Sequence, residues 1–228
     1  YYCENESCLM TFTHIETPTF ELNRLHEGQT RYYVTPENNK YPSITTITSH
    51  RNREIFAKWR KKVGLEHANA KTKRATNRGT ATHTLIEHYL KNEDVPKSDP
   101  LPSYLFKQAK PTLDKIDNIH CLEGTLYSDQ LHLAGQVDCI AEYEGELAVI
   151  DFKTSEKVKP EKWIEHYYVQ CMAYGMMYFE RTQLPIKKLV IIMTCEDGDV
   201  KVYEQRDKLT YMKLLKDYVE DYVNFTHA

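Results

Sequence analysis

The chain has 228 residues, of which 41% are hydrophobic and 28% charged, and a net charge of −3. That is enough chain for one sizeable core in a single domain, and the composition excludes a disordered or collagen-like protein. No run approaches the ~18 apolar residues of a membrane span, and neither a secretory signal nor an Arg-rich, acid-poor transit peptide opens the chain. The expectation is a cytoplasmic protein of a bacterium or a virus-infected cell, with no membrane partner. Residues 1–9, YYCENESCL, match no pattern, and Met10 opens a segment that reads like a natural start, so 1–9 is expected to be a non-native or disordered extension.

In chain order, RYYVT at 31–35 reads as a strand and Glu37-Asn38-Asn39-Lys40 as a turn. Helices are predicted at 51–63 and 66–91, the second with a break near Gly79. Pro96, Pro100 and Pro102 mark a loop over 92–102, and a helix follows at 103–117. Strands come next at 119–127, 131–143 and 146–153, then an aromatic-rich helix at 161–181. A strand at 187–194, a turn at Glu196-Asp197-Gly198-Asp199, a strand at 200–205 and a helix at 207–225 close the chain. This mixed order with short connections predicts one α/β domain.

The segment Leu131–Ser155 carries the chemistry. Glu144-Gly145 reads as a two-residue hairpin turn. If Tyr143 faces Glu146, then Asp138 faces Asp151 across the ladder, with Cβ atoms ~5 Å apart. A two- or four-residue loop keeps this register; an odd loop shifts it by one. Lys153 shares the face of Asp151, two residues on. Asp151 follows Leu147-Ala148-Val149-Ile150 and precedes Phe152, an interior-strand setting in which Asp is depleted and seldom lacks a partner. Facing carboxylates repel unless neutralised, which a hard divalent cation would do.

Charge is unevenly spread. Between Arg51 and Arg78 ten basic residues face only Glu54 and Glu66, a surplus of eight that leaves −11 for the rest of the chain. Such asymmetry fits a phosphate-binding surface or a solvated helix face. Phe56 and Trp59 in this stretch could stack on bases, with helix-core packing as the favoured use. Trp163, Tyr167, Tyr168, Met172, Met176 and Met177 are expected to supply core. The six cysteines, Cys3, Cys8, Cys121, Cys139, Cys171 and Cys195, contain no Cys-x-x-Cys pair and read as reduced thiols, mostly in the core.

Gly135-Gln136-Val137-Asp138 followed by Val149-Ile150-Asp151-Phe152-Lys153-Thr154 resembles the motif pair of PD-(D/E)XK nucleases of the RecB-like branch, with Val137-Asp138 in place of the family's Pro-Asp. Arg78-Gly79-Thr80-Ala81-Thr82-His83-Thr84-Leu85-Ile86-Glu87 resembles the family's histidine helix, and Gln170-Cys171-Met172-Ala173-Tyr174 its Gln-x-x-x-Tyr helix. Tyr41-Pro42-Ser43-Ile44-Thr45-Thr46-Ile47 is similar to a motif of a narrower group that contains the mitochondrial genome maintenance exonuclease and related phage exonucleases. The resemblance implies a restriction-endonuclease-like αβββαβ core at 76–206, its mixed sheet flanked by helices, with a basic helical DNA-binding extension at 41–91.

It further implies a metal-dependent DNA exonuclease that prefers single-stranded ends. Alternatives are a duplex-end or flap nuclease within a recombination or helicase complex, and an inactive nuclease-fold DNA-binding module. Replication or recombination proteins are the expected partners. By resemblance, Asp138, Asp151 and Lys153 are catalytic, and His83, Asp138, Asp151 and the Phe152 carbonyl hold one or two Mg²⁺ or Mn²⁺ ions. His83 and Glu87 share a helix face. Glu87 could help a second metal, orient water or pair with an Arg. Gln170 and Tyr174 could position the scissile nucleotide or Lys153, or serve packing. With the motifs in place, Ser43, Thr45, Lys61, Lys62, Arg74 and Arg78 are expected on the DNA backbone. No cysteine follows Cys195, so the four-cysteine iron–sulfur cluster of some RecB-like nucleases is not expected.

Overall fold

The computed structural model describes residues 11–28 and 30–227. The expected extension at 1–9, with Cys3 and Cys8, lies outside them. In chain order the elements are β1 (Asn23–Glu27), β2 (Thr30–Val34), β3 (Lys40–Pro42), α1 (Ile44–Arg51), α2 (Arg53–Val63), α3 (Leu65–Leu90) and α4 (Pro100–Leu113). They continue with β4 (Ile116–Ser128), β5 (Leu133–Tyr143), β6 (Glu146–Ser155), α5 (Glu165–Thr182), β7 (Lys188–Cys195), β8 (Val200–Gln205) and α6 (Lys208–Thr226).

The main sheet has the order β4-β5-β6-β7-β8, antiparallel except for the parallel pair β6–β7. The β6–α5–β7 crossover is what a parallel pair requires. All eight residues of β7 are buried, which explains why KLVIIMTC reads as an unbroken apolar run rather than an alternating one. Helices cover both faces. On one face Ile86 and Leu90 of α3 and Ala109 and Leu113 of α4 pack on Cys139, Ile150, Phe152 and Ile192. On the other, Ile44 and Ile47 of α1, Tyr168, Met172 and Met177 of α5 and Leu215 of α6 pack on Val137, Val149 and Ile191. Burying each such side chain contributes ~1.5–3 kcal/mol, so the sheet is held from both sides. A second sheet, β1-β2-β3, docks through Tyr33 and Tyr41 onto Tyr127 and Ala134.

Glu144 and Gly145 have φ of 52° and 82°, the paired positive values of a type I′ turn. They set Tyr143 opposite Glu146 and Cys139 opposite Ile150, the register expected from the sequence. Ser43 caps α1, its Oγ accepting from the Thr46 N–H at 3.1 Å.

Some expectations change. Helix α3 runs unbroken through Gly79. The predicted helix at 103–117 begins earlier and ends at Leu113, and β4 begins at Ile116. Short α1 ends at Arg51, and Asn52 separates it from α2, which starts at Arg53. No residue of α2 is buried, and Ala68 alone is buried in α3 before Arg78, so this basic helical pair stands out from the core. Phe56 is therefore not core: it is 44% exposed, and its ring lies against Trp59 with centroids 5.3 Å apart. Trp163 is likewise 62% exposed. Cys139, Cys171 and Cys195 are buried free thiols, and Cys121 is partly buried. Among the described residues no helix is long and apolar enough to cross a membrane.

Candidate active site

The site lies at the fork where β5 leaves β6. The regular ladder ends at Cys139 and Ile150, one step before Asp138 would meet Asp151. Val137 packs on the α5 side of the sheet and Cys139 on the α3 side. Side-chain alternation therefore slips at Asp138. Instead of facing Asp151 in a regular pair, Asp138 accepts the Phe152 N–H on Oδ2 at 2.8 Å. That bond closes the open ladder and aims the other carboxylate oxygen toward α3.

There it meets His83. The Nε2–H of His83 donates to the Phe152 carbonyl at 2.7 Å, which turns Nδ1 toward Asp138 Oδ1 at 3.8 Å and Glu123 Oε1 at 3.5 Å. Glu123 is a residue the sequence reading missed. The β4–β5 register shifts between Asp117 and Cys121, and the pairs Leu122–Cys139 and Gly124–Val137 bracket Glu123 opposite Asp138. Its φ is 49°, a left-handed conformation that is costly for a non-glycine residue and concentrates at functional sites. Gln136 donates to Glu123 Oε2 at 2.9 Å and fixes the carboxylate.

Donor atoms of His83, Glu123 and Asp138 all lie within 4.8 Å of one another. Burial, the largest influence, pulls the His83 pKa down, but Asp138 and Glu123 outweigh it and push it up to about 9. A proton thus sits where a cation would compete for the same electron pairs. Two carboxylates and an imidazole fit a hard or borderline divalent ion, and the His83–Phe152 bond is the outer contact that orients a ligating histidine.

Asp151 and Lys153 lie beside this cluster on the α5 face. The Lys153 ammonium is 3.0 Å from Asp151 Oδ1 and 2.7 Å from Oδ2. Oδ2 is buried with no well-aligned hydrogen bond, so the Lys153 ammonium at 2.7 Å is the charge that compensates it. Burial raises the Asp151 pKa against the lowering pull of Lys153, with Asp138 adding to the rise. For Lys153 burial acts downward, but Asp151 and Asp138 outweigh it and keep the amine protonated. Tyr167, expected in the core, packs against it partly buried and also lies under Lys153, whose Nζ is 4.8 Å from the ring centroid. Lys159 donates to the Tyr167 hydroxyl at 3.2 Å.

A cleft of about 730 Å³ opens over these groups, lined by His83, Glu123, Asp138, Lys153, Gln170 and Tyr174, with Ser43, Thr45 and Glu87 in its wall. Gln170 donates to the Tyr174 hydroxyl at 3.3 Å. Gly135 lets Tyr174 in: a Cβ there would lie 2.8 Å from Tyr174 Cε1. Glu87 pairs with Lys91, one helical turn on, at 2.5 Å. Lys61 and Lys62 are exposed on α2. Arg74 is 62% exposed at its side chain and bound to Glu196 at 2.7 Å. Arg78 departs from expectation. It is 7% exposed, donates from Nε to Thr154 Oγ1 at 3.1 Å and from NH2 to the Thr154 carbonyl at 3.3 Å, and bonds Glu196 through NH1. Its guanidinium ties α3 to β6 and is not free for a phosphate.

Comparison with known proteins matches residues 107–222 to the PD-(D/E)XK nuclease superfamily. The chain is similar to "Mitochondrial genome maintenance exonuclease 1" of Homo sapiens, 29% identical over 135 residues that cover 54% of this chain and 39% of that protein. The Mus musculus protein of the same name is 30% identical over 135 residues, covering 54% of this chain and 40% of its own. A stretch of 48 residues is 48% identical to the Xenopus tropicalis protein, covering 21% of this chain and 14% of that one. The chain thus spans about two fifths of the length of the first two relatives.

Proposed function

Because the chain belongs to the PD-(D/E)XK nuclease superfamily, we propose that it is a divalent-metal-dependent DNA exonuclease acting on single-stranded ends. The observation that carries this reading is the convergence of His83, Glu123 and Asp138 within 4.8 Å at the floor of a cleft that Lys153 also lines. The names of the relatives support an exonuclease. The basic, aromatic-bearing α2 and the outer half of α3 support a strand held by its phosphates and bases.

Bound Mg²⁺ or Mn²⁺ would lower the pKa of a ligated water and neutralise charge building on the phosphate. His83, Glu123 and Asp138 would hold it, with Asp151 beside them paired to Lys153. Lys153 is protonated beside Asp151, so its role is to orient water or stabilise the phosphorane by charge rather than to remove a proton. Tyr167 and Asp151 hold that ammonium from two sides. Gln170 and Tyr174 present polar groups to the cleft from α5 and would position the scissile nucleotide. The setting is cytoplasmic, with replication or recombination proteins as partners.

The test is incubation with 5′- and 3′-labelled single-stranded and duplex DNA in Mg²⁺, Mn²⁺ or EDTA, beside Lys153→Ala. Metal-dependent shortening of single strands that is lost in the variant is expected. Cleavage confined to duplex ends or flaps would replace the substrate assignment, and binding without cleavage in any metal would refute the enzyme.

A further inference from the structure

The catalytic cleft is not isolated. Arg31 and Thr45 line it and also line a second cavity of about 590 Å³ on the far side of the α1 N-terminus. Ser49 and Arg53, further along α1 and into α2, line that cavity and a third of about 680 Å³. Thr45 and Ser49 are one helical turn apart and share a face of α1. Shared residues thus set the three concavities side by side, from the His83–Glu123–Asp138 cluster along the polar stripe of α1 to Phe56 and Arg60 on α2.

The lining has one chemistry. Among the described residues no carboxylate lines the second or third cavity. Asp221 pairs through Oδ2 with Arg51 and Arg53 and approaches His50, each at 3.6 Å, longer than a hydrogen bond, so Arg53 is partly neutralised. Among the described residues the Arg31 guanidinium has no hydrogen-bond or ion-pair partner, and its Nε is buried. His50 is 8% exposed, lines the second cavity and leaves Nε2 without a hydrogen bond. A buried donor without an acceptor, here the Arg31 Nε–H, is costly, and a guanidinium fork matches phosphate oxygens. Two aromatic rings border the path: Phe225, 60% exposed, in the second cavity and Phe56, 44% exposed, in the third. Each carries a guanidinium, Arg53 at 5.3 Å from the Phe225 centroid and Arg60 at 5.7 Å from that of Phe56, and each has a ring neighbour in His50 or Trp59. Cations and hydroxyls for phosphates beside exposed aromatic edges for bases are a combination that holds a single strand.

We propose that a single nucleic-acid strand continues from the catalytic cleft past Arg31 and along the polar face of α1, its phosphates on Arg31, Thr45 and Ser49, with Arg53 shared with Asp221, and its bases at the exposed edges of Phe225 and Phe56. Arg31 is the junction between the reacting and the held parts of the strand. This deepens the nuclease reading and rests on it.

The test measures binding in a Lys153→Ala background, which keeps the strand uncut. Fluorescent thymidine oligonucleotides about 4 and about 12 nucleotides long would be titrated over a range of salt. The longer strand is expected to bind ~10-fold or more tightly than the shorter. Arg31→Gln is expected to weaken both and to lower the log–log salt slope by ~0.7, one phosphate's worth on a single strand. Ser49→Trp, at an exposed position, is expected to weaken the longer strand ~10-fold and so erase the length dependence. Circular dichroism melts check the fold of each variant. Folded variants with unchanged affinity and salt slope would overturn the path. A duplex of equal length, bound as tightly and equally sensitive to Ser49→Trp, would overturn the single-strand assignment. The nuclease reading fails separately, if protein with Lys153 intact cuts nothing while the groove variants still lose binding.

Discussion

Replacing Arg78 with Met separates a structural strut from a DNA contact. Sequence neighbours place Arg78 in a basic segment beside the histidine helix, yet its three bonds go to Thr154 and Glu196. Breaking one partner out of a buried ion pair costs ~3–5 kcal/mol when the other charge is stranded. Glu196 is not stranded here, since Arg74 holds its other oxygen at 2.7 Å and its side chain is 19% exposed. Met also keeps the apolar stem. The loss is therefore set by the two bonds to Thr154 and the weakened carboxylate pair, ~2–3 kcal/mol in all. For a chain of this size that is a fall of about 5–10 °C in melting temperature. Urea unfolding gives the free energy, and single-strand binding across salt gives the number of phosphate contacts. The expected result is a lower midpoint with an unchanged salt slope. Unchanged stability with a shallower slope would refute the strut and return Arg78 to the DNA.

Three further outcomes follow from the geometry. Gly135→Ala places a methyl 2.8 Å from Tyr174 Cε1 and 3.2 Å from Ile44 Cγ2, both buried, so urea unfolding should show a loss of ~1–3 kcal/mol; wild-type stability would mean that the Tyr174 ring can retreat. Glu123→Gln should weaken Mn²⁺ binding in calorimetric titration by ~10-fold or more, whereas an unchanged affinity would remove Glu123 from the ligand set. His166 is held neutral, its pKa lowered to about 4 from 6.5 by burial first and then by Lys153 and Lys159. The unfolded chain takes up the proton first as pH falls, so His166 contributes stability that is present above 6.5 and lost progressively between there and about 4. His166→Gln should flatten the stability profile in that window, and an identical profile would show that the ring is solvated.

What could be read from the chain depended on whether the chemistry left a local mark. Asp151 was legible because a carboxylate in an apolar strand contradicts its surroundings, and the Glu144-Gly145 turn carried that mark across to Asp138 through a register fixed by two positive φ values. Glu123 left no such mark. A Glu before a Gly in a strand is unremarkable, and its place opposite Asp138 requires the register slip between Asp117 and Cys121, which no residue type announces. Polar NRLHE lacks alternation, so β1 was not predicted, and the division of α1 from α2 at Asn52 interrupts no apolar period. Arg78 and Arg31 show the same limit from opposite sides. Both are basic residues near motif segments, but Glu196 lies 118 positions from Arg78 along the chain and claims it, while nothing among the described residues claims Arg31. Which arginine meets the substrate is thus decided by carboxylates far away in sequence. A count of basic residues locates the surface and cannot tell a committed guanidinium from an open one.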